Sequence, residues 1–268
     1  MGTKQWGEGV IVTGAAGGIG AAIATDLAAD SPLVSLWDRD TRVHDTAGRI
    51  GRQYEDTRAQ ATEIDLTDPA AVTRAFDEHL AEFGAPRVVV HAAGAMIGGS
   101  ALDTPADEWL RCLAVNASAA VYVAQRAARE MVAAGGGSIV VVSSNSATVP
   151  RVNLAPYGAA KAAATAYARS LALQVAPHGV RVNVVSPGST DTPMLRGMYA
   201  DSDAHGLGAD ARASLLDGDP ENYRLGIPLR RIAEPADIAG TVRFLVSDAA
   251  RHITMHDLRV DGGATLDM

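Results

Sequence analysis

Four polar residues are spaced so that together they can move a proton. Tyr157 and Lys161 are one helical turn apart, which places both side chains on one face of a helix. A free tyrosine has a pKa of about 10, and a nearby ammonium group favours its phenolate form. Ser144 follows an apolar run and can bind the oxygen of a molecule beside the tyrosine, while Asn116 can hold a water that passes protons to Lys161. The set predicts acid–base catalysis by Tyr157.

A glycine-rich turn near the start of the chain is typical of a dinucleotide site. Residues 13–20 lie between a predicted strand and a predicted helix. Glycines there let the backbone approach a pyrophosphate, and the helix N-terminus adds amide donors and the positive end of its dipole. The predicted contact residues in the turn are Gly14, Ala16, Gly18, Ile19 and Gly20.

Two acidic residues at strand ends are candidates for binding the nucleoside. Asp38 ends the second predicted strand, where a carboxylate accepts hydrogen bonds from both ribose hydroxyls and repels a 2′-phosphate, which favours NAD over NADP. Arg39 follows it directly and is in principle a partner for such a phosphate. Asp65 follows the third strand and can accept from the adenine amino group, although a plain turn before the next helix explains it nearly as well.

The order of apolar runs predicts how these residues are positioned. Strands alternate with helical patterns, which predicts an α/β fold: a doubly wound, mostly parallel sheet of about seven strands in a single domain spanning 1–268. A long irregular stretch at about 189–228 is predicted to be a substrate lid or binding loop, with a disordered insertion as the alternative. The predicted strands are 10–13, 33–37, 61–64, 87–91, 138–143, 180–185 and 258–260, and the predicted helices are 19–29, 69–83, 107–134, 156–175 and 235–247.

Composition and charge narrow the class of protein. The 268 residues are 47% hydrophobic and 20% charged, with a net charge of −8, which is typical of a globular protein. No basic run predicts nucleic-acid binding, no apolar stretch is long enough to span a membrane, and no metal site is expected. The absence of a signal-peptide pattern and the single cysteine predict a cytoplasmic location. That cysteine, Cys112, is expected to be a buried small hydrophobe.

These features resemble the short-chain dehydrogenases/reductases over nearly the full chain. The resemblance rests on the glycine turn, Asp65-Leu66, Ala92-Ala93-Gly94, Asn116, Ser144, Tyr157 with Lys161, Pro187-Gly188 and Asp261-Gly262-Gly263. It implies a Rossmann fold that binds NAD and assembles as a homotetramer, for which the Ala-rich helices are suited. Further implied cofactor contacts are Leu66, Ala92, Gly94, Tyr157, Lys161, Pro187, Gly188 and Thr190. His91 stands where the family often has Asn, and we expect it to be a packed strand-end residue.

The second half is similar to a narrower group, the 2,3-dihydro-2,3-dihydroxybenzoate dehydrogenases of catechol siderophore synthesis. The similar segments are 150–151, 183–192, 225–229 and 252–254. Two segments differ from that group: residues 95–99, which lack an expected basic residue, and residues 200–222. The resemblance implies a dihydro-aromatic acid substrate, contacted by Ser144, Tyr157 and Met194. Arg151, on the predicted loop between Ser144 and Tyr157, is suited to pair with its carboxylate; an ordinary surface arginine is the alternative.

Three other functions remain open from the sequence. One is the same oxidation of 2,3-dihydro-3-hydroxyanthranilate, which carries an amine in place of the hydroxyl at C2. Another is a carbonyl reductase, which Asp38 disfavours because reductive enzymes usually take NADPH. The third is a non-catalytic NAD-sensing protein, since a fold does not fix a function; the intact set of Asn116, Ser144, Tyr157 and Lys161 disfavours it.

Overall fold

Short apolar strands form the centre of the computed structural model, which describes residues 9–266. The strands at the middle of the sheet are buried along all or nearly all of their length, because helices cover both faces of the sheet. The strands in chain order are β1 (Val10–Thr13), β2 (Leu33–Asp38), β3 (Arg58–Glu63), β4 (Val88–His91), β5 (Gly137–Val142), β6 (Val180–Pro187), β7 (Gly218–Asp219), β8 (Arg224–Leu225) and β9 (Asp257–Val260).

Seven of these strands form one parallel sheet in the order β3-β2-β1-β4-β5-β6-β9, and β7 and β8 form a separate antiparallel hairpin. The strand order reverses between β1 and β4, where Thr13 lies beside His91. Ligands of doubly wound sheets bind beyond the carboxyl ends of the strands at such a reversal. The predicted fold class, a doubly wound α/β sheet of about seven strands, is confirmed.

Helices pack on both faces of the sheet. They are α1 (Gly18–Ala28), α2 (Val43–Gln53), α3 (Pro69–Phe83), α4 (Ala106–Leu113), α5 (Ala119–Ala134), α6 (Ala155–Val175), α7 (Pro193–Arg196), α8 (Ala209–Asp217) and α9 (Pro235–Val246). One core packs α3, α5 and α6 against Ile11 and Val89, and the other packs α1, α2 and α9 against Val10 and Val12. Within residues 9–266, no helix is both long enough and apolar enough to cross a bilayer.

Outside segment 189–228, three elements depart from the prediction by more than one or two residues at an end, and one of them, α2, was not predicted. The polar sequence gives little sign of α2, because only Val43, Thr46 and Ile50 are buried in it. The edge strand β3 begins at Arg58, ahead of the predicted 61, since an edge strand that is largely half-exposed does not need an apolar run. The predicted helix 107–134 is interrupted by a π-helical turn at Ala114–Ser118.

The segment 189–228 is not irregular throughout, so that part of the prediction is wrong. It contains α7, α8 and the hairpin of β7 and β8. Leu207, Ala211, Leu215 and Ile227 are buried together in a small core of its own, which explains why it folds. Its function as a substrate lid stays a prediction.

Candidate active site

The glycine turn lines a cavity of about 290 Å³ at the carboxyl ends of β1 to β4. The cavity lies where the strand order reverses, as expected for a nucleotide site. Ten of the predicted cofactor contacts line it: Gly14, Ala16, Gly18, Ile19, Gly20, Asp38, Asp65, Leu66, Ala92 and Gly94.

Two glycines in the turn are required by its geometry. Gly14 has a φ of +70°, and a Cβ atom there would lie 2.7 Å from the amide nitrogen of Ala93. A Cβ at Gly20 would overlap the carbonyl oxygen of Gly14. Gly17 is the N-cap residue of α1 and provides no side-chain cap, and a Cβ atom added to it would have no neighbour within 4 Å. The first amides of α1 therefore face an open cradle that suits a pyrophosphate.

Asp38 is held at the far end of this cavity by backbone donors. Its Oδ2 accepts from the amide of Ala16 at 3.0 Å, and its Oδ1 accepts from the amide of Asp40 at 3.0 Å. Each oxygen keeps a second lone pair for another donor. Arg39 and Arg42 also line this end, and Arg42 forms an ion pair with Asp40 at 2.6 Å. The fixed carboxylate suits a ribose with two free hydroxyls.

Asp65 has the geometry of the plain turn that the sequence left open. Its Oδ1 accepts from the amide of Thr67 at 2.9 Å and from the Thr67 hydroxyl at 2.8 Å, and these bonds lower the pKa of Asp65. The residue also lines the cavity. Its contact with an adenine amino group stays a prediction.

A second cavity, of about 550 Å³, adjoins the first. The two share five lining residues: Ile19, Ala92, Gly94, Thr192 and Met194. Every other predicted site residue except Asn116 lines the second cavity: Ser144, Arg151, Tyr157, Lys161, Pro187, Gly188, Thr190 and Met194. A molecule in the second cavity is therefore beside the end of a molecule bound in the first.

Tyr157 and Ser144 lie next to each other in this second cavity. Tyr157 is 7% exposed, and burial raises the pKa of its phenol to about 12, although hydrogen bonding with Ser144 lowers it in part. The Ser144 hydroxyl accepts from the amide of Ser146 at 3.1 Å, so its own hydrogen is free to be donated. In the protein alone the phenol is therefore protonated at neutral pH, and its deprotonation requires added positive charge.

Lys161 brings such a charge into the apolar interior. Its Nζ lies 5.8 Å from the centre of the Tyr157 ring and donates to the carbonyl of Val142 at 3.0 Å. Burial lowers the pKa of Lys161 to about 8. The hydroxyl of Ser143 bonds to Thr165 at 2.7 Å and thereby ties the end of β5 to α6, which carries both Tyr157 and Lys161.

Asn116 uses its side chain to hold the turn after β4. Its Oδ1 accepts from the amide of Ala95 at 3.1 Å, and its Nδ2 donates to the carbonyls of Ala95 at 3.0 Å and Cys112 at 3.2 Å. A Cβ at Gly94 would lie 2.9 Å from Asn116 Oδ1 and 3.2 Å from Lys161 Nζ, so both groups approach the backbone there. The π-helical turn that contains Asn116 is a feature often found at functional sites. The water relay to Lys161 stays a prediction.

Two residues that the sequence assigned to packing are buried. Cys112 is 0% exposed and contacts the cluster that contains Tyr157, as expected of a small hydrophobe. His91 is 1% exposed, and its Nδ1 bonds to the hydroxyl of Thr13 at 3.0 Å across β1 and β4. Thr13 in turn accepts from the amide of Ala93 at 3.3 Å. His91 therefore braces the strand ends that carry the first cavity.

Comparison with known proteins agrees with this geometry. The family model described as "Enoyl-(Acyl carrier protein) reductase" matches residues 14–265. Two enzymes named 2,3-dihydro-2,3-dihydroxybenzoate dehydrogenase are similar over most of their length: that of Bacillus subtilis is 36% identical, covering 97% of each chain, and that of Escherichia coli is 38% identical, covering 97% of this chain and 98% of that one. A solved 7α-hydroxysteroid dehydrogenase, complexed with NADH and 7-oxo glycochenodeoxycholic acid, is 26% identical with a TM-score of 0.85, covering 99% of this chain and 97% of that one.

The chain belongs to the short-chain dehydrogenase/reductase family. It is therefore an oxidoreductase, and the resemblance seen in the sequence is confirmed. The glycine turn lines the first cavity and the Tyr157–Lys161 pair lines the second, on the two sides of the residues that the cavities share.

Sequence reasoning missed several charged residues that line the two cavities, among them Arg224. Arg224, on β8, lines the second cavity together with Arg151. It directly precedes the segment 225–229, whose similarity to a narrower group of enzymes was the available signal. Its place in the cavity depends on the hairpin, which the sequence pattern does not predict.

Proposed function

We propose that the protein oxidises a ring hydroxyl of a dihydro-aromatic carboxylate with NAD, converting 2,3-dihydro-2,3-dihydroxybenzoate to 2,3-dihydroxybenzoate. The observation that carries the proposal is that Tyr157, Ser144 and Arg151 line one cavity joined to the glycine-turn cavity. A phenol, a hydroxyl and a guanidinium in one cavity suit a substrate with both an alcohol and an anionic group. The names of the B. subtilis and E. coli relatives support this choice of substrate.

NAD is the proposed cofactor. The residues of the first cavity fit NAD. The cradle at Gly17 is open, and the Asp38 carboxylate can accept hydrogen bonds from ribose hydroxyls while it repels a 2′-phosphate. Gly14, Ala16 and Gly18 would hold the pyrophosphate, and Asp38 the adenosine ribose. When bound, NAD accepts the hydride of the oxidised carbon. The NADH in the solved hydroxysteroid dehydrogenase supports the assignment.

The side chains of the second cavity account for the proton. Tyr157, once deprotonated to the phenolate, takes the proton of the C3 hydroxyl as the C–H bond at C3 breaks, and Ser144 donates a hydrogen bond to the same oxygen. Lys161 supplies positive charge close to the phenol, which opposes the rise in the pKa of Tyr157 caused by burial. The dienone that results tautomerises to an aromatic catechol, which draws the reaction towards oxidation.

Arg151 is the proposed partner of the substrate carboxylate. It is half-buried, and burial lowers the pKa of its guanidinium. No hydrogen bond or ion pair to its side chain is found within residues 9–266. A buried cation of this kind is stabilised when a carboxylate pairs with it.

The test is oxidation by purified protein. The protein is mixed with NAD and the dihydrodiol acid, and NADH absorbance is followed. A second reaction contains 2,3-dihydro-3-hydroxyanthranilate, and a third contains the same dihydrodiol ring without its carboxylate. We expect fastest turnover with the diol acid. Faster turnover of 2,3-dihydro-3-hydroxyanthranilate would make that compound the substrate in place of the diol acid. Equal turnover of the ring without a carboxylate would refute the requirement for a carboxylate.

A further inference from the structure

Two guanidinium groups face the second cavity from different elements. Arg151 lies on the loop between β5 and α6, and Arg224 lies on β8 in the hairpin. Both line the cavity that contains Tyr157 and Ser144. The segment 189–228 therefore contributes a cation as well as apolar cover such as Leu215 to this site.

Arg224 is held in position rather than free to move in solvent. Its Nη2 donates to the carbonyl of Ser214 on α8 at 2.6 Å and to the Ser214 hydroxyl at 3.1 Å. Its Nη1 lies 3.5 Å from the Tyr199 hydroxyl. These partners are uncharged, so they orient the guanidinium without forming an ion pair with it.

Asp219 and Asp261, the acidic groups whose charges act on Arg224 and Arg151, accept hydrogen bonds from other groups. Asp219 also lines the second cavity and lies opposite Arg224 in the hairpin; its carboxylate accepts from the amide of Asn222 at 3.3 Å and from Asn222 Nδ2 at 2.8 Å, and forms no ion pair with Arg224. Asp261, the acidic group that acts on Arg151, accepts from the Thr265 hydroxyl at 2.6 Å and from the amide of Gly263 at 3.0 Å. Within residues 9–266, neither arginine has an acidic group within ion-pair distance.

The two cations also oppose each other. Burial lowers the pKa of Arg151, and the charge of Arg224 lowers it further. Like charges that share a cavity are stabilised by an anion placed between them, because each then gains an attractive partner. A ring carboxylate in this cavity supplies such an anion.

We propose that Arg224 is a second substrate-binding cation, which holds the carboxylate together with Arg151 from the hairpin side of the cavity. The inference rests on the proposed function, in that the substrate is taken to be a ring carboxylate. On this inference, the hairpin selects substrates by their charge.

The test is calorimetric binding of two ring compounds to the protein in the presence of NAD. The probes are 2,3-dihydroxybenzoate and catechol, which differ only by the carboxylate. For Arg224→Gln we expect affinity for the acid to fall about 30-fold or more and affinity for catechol to change less than about threefold. Arg224→Lys should recover part of the loss, because it restores charge without the planar fork. Arg212→Gln, an exposed arginine on α8, is the matched control and should bind both like the wild type.

The outcomes separate this inference from the proposed function. Equal losses for both probes would show that Arg224 only supports the hairpin, and unchanged affinity for both would remove it from the site; either result overturns the inference. Melting temperatures show whether Arg224→Gln is folded, and if it is not, the comparison of probes is made with Arg224→Lys. If wild type binds the acid through Arg224 yet does not oxidise the dihydrodiol acid, the proposed reaction fails while the carboxylate site stands.

Discussion

The two joined cavities are built from different chemical parts of the chain. The first is formed by backbone at the carboxyl ends of β1 to β4, where Gly14 and Gly20 let segments pack closely and amides of the turn and of α1 face inwards. The second is formed by side chains, among them Tyr157 on α6 and Arg224 on the hairpin. A backbone site depends on where the chain can turn, whereas a side-chain site depends on which distant elements meet.

This difference predicts separable defects. Substitutions in the second cavity should impair substrate binding or proton transfer while leaving dinucleotide affinity intact. Substitutions at the first cavity should change which dinucleotide is used. Effects that spread equally over both would show that the cavities are one cooperative unit.

The largest separation is expected at Tyr157. In Tyr157→Phe the ring still packs, but the hydroxyl that takes the proton is lost, so kcat should fall on the order of 1,000-fold or more. The dissociation constant for NAD, measured by fluorescence titration, should change little because the first cavity is unaltered. Tyr167→Phe is the matched control, since Tyr167 is a half-buried tyrosine on the same helix and outside both cavities. Substantial residual turnover in Tyr157→Phe would mean that another group is the base.

A smaller effect is expected at Arg151. Arg151→Ala should lower kcat/KM for the dihydrodiol acid by a factor that corresponds to about 2–4 kcal/mol of lost transition-state stabilisation, because the carboxylate loses a charged partner in a partly buried site. Arg151→Lys should recover only part of this, since an ammonium lacks the planar fork. The uncharged dihydrodiol ring is the control substrate. Equal losses on both substrates would return Arg151 to the interpretation of an ordinary surface arginine.

The first cavity was the more predictable of the two from sequence. Glycine positions and Asp38 follow from local rules, because a turn between a strand and a helix limits what can stand there. The placement of Tyr157 and Lys161 was equally predictable, since a spacing of one helical turn puts both side chains on the same face of a helix. Arg224 was not, because its place depends on the hairpin, whose two ends are followed and preceded by the buried residues Ile227 and Leu215 of one small core. The hydrogen bonds of Asn116 to the turn after β4 were likewise not predictable from the sequence. The homotetramer stays a prediction, which light scattering can test.

Cofactor choice tests the first cavity alone. We expect wild type to prefer NAD over NADP by more than about tenfold in kcat/KM, because Asp38 opposes a 2′-phosphate. Asp38→Ser should reduce that preference, since Arg39 and Arg42 line the same end and are available to a phosphate. Asp45→Asn, an exposed acid on α2 outside both cavities, should leave it unchanged. Comparable efficiency of wild type with both dinucleotides would refute the role given to Asp38.

The smallest expected effect concerns the brace under the first cavity. Burial, together with the charge of Lys161, lowers the pKa of His91 to about 3. Between that value and the unfolded pKa of about 6.5, the unfolded chain binds a proton that the folded chain does not, so the free energy of unfolding falls as pH falls. From pH 7 to 5.5, His91 alone should account for a loss of about 1 kcal/mol. His91→Asn removes the titrating group, so urea unfolding at the two pH values should show a correspondingly smaller acid loss than wild type, whatever the substitution costs at pH 7. His205→Gln, an exposed histidine in segment 189–228, should keep the acid sensitivity of wild type. An unchanged acid loss in His91→Asn would mean that His91 is protonated in the folded protein and that the strand ends tolerate a charge beneath the dinucleotide cavity.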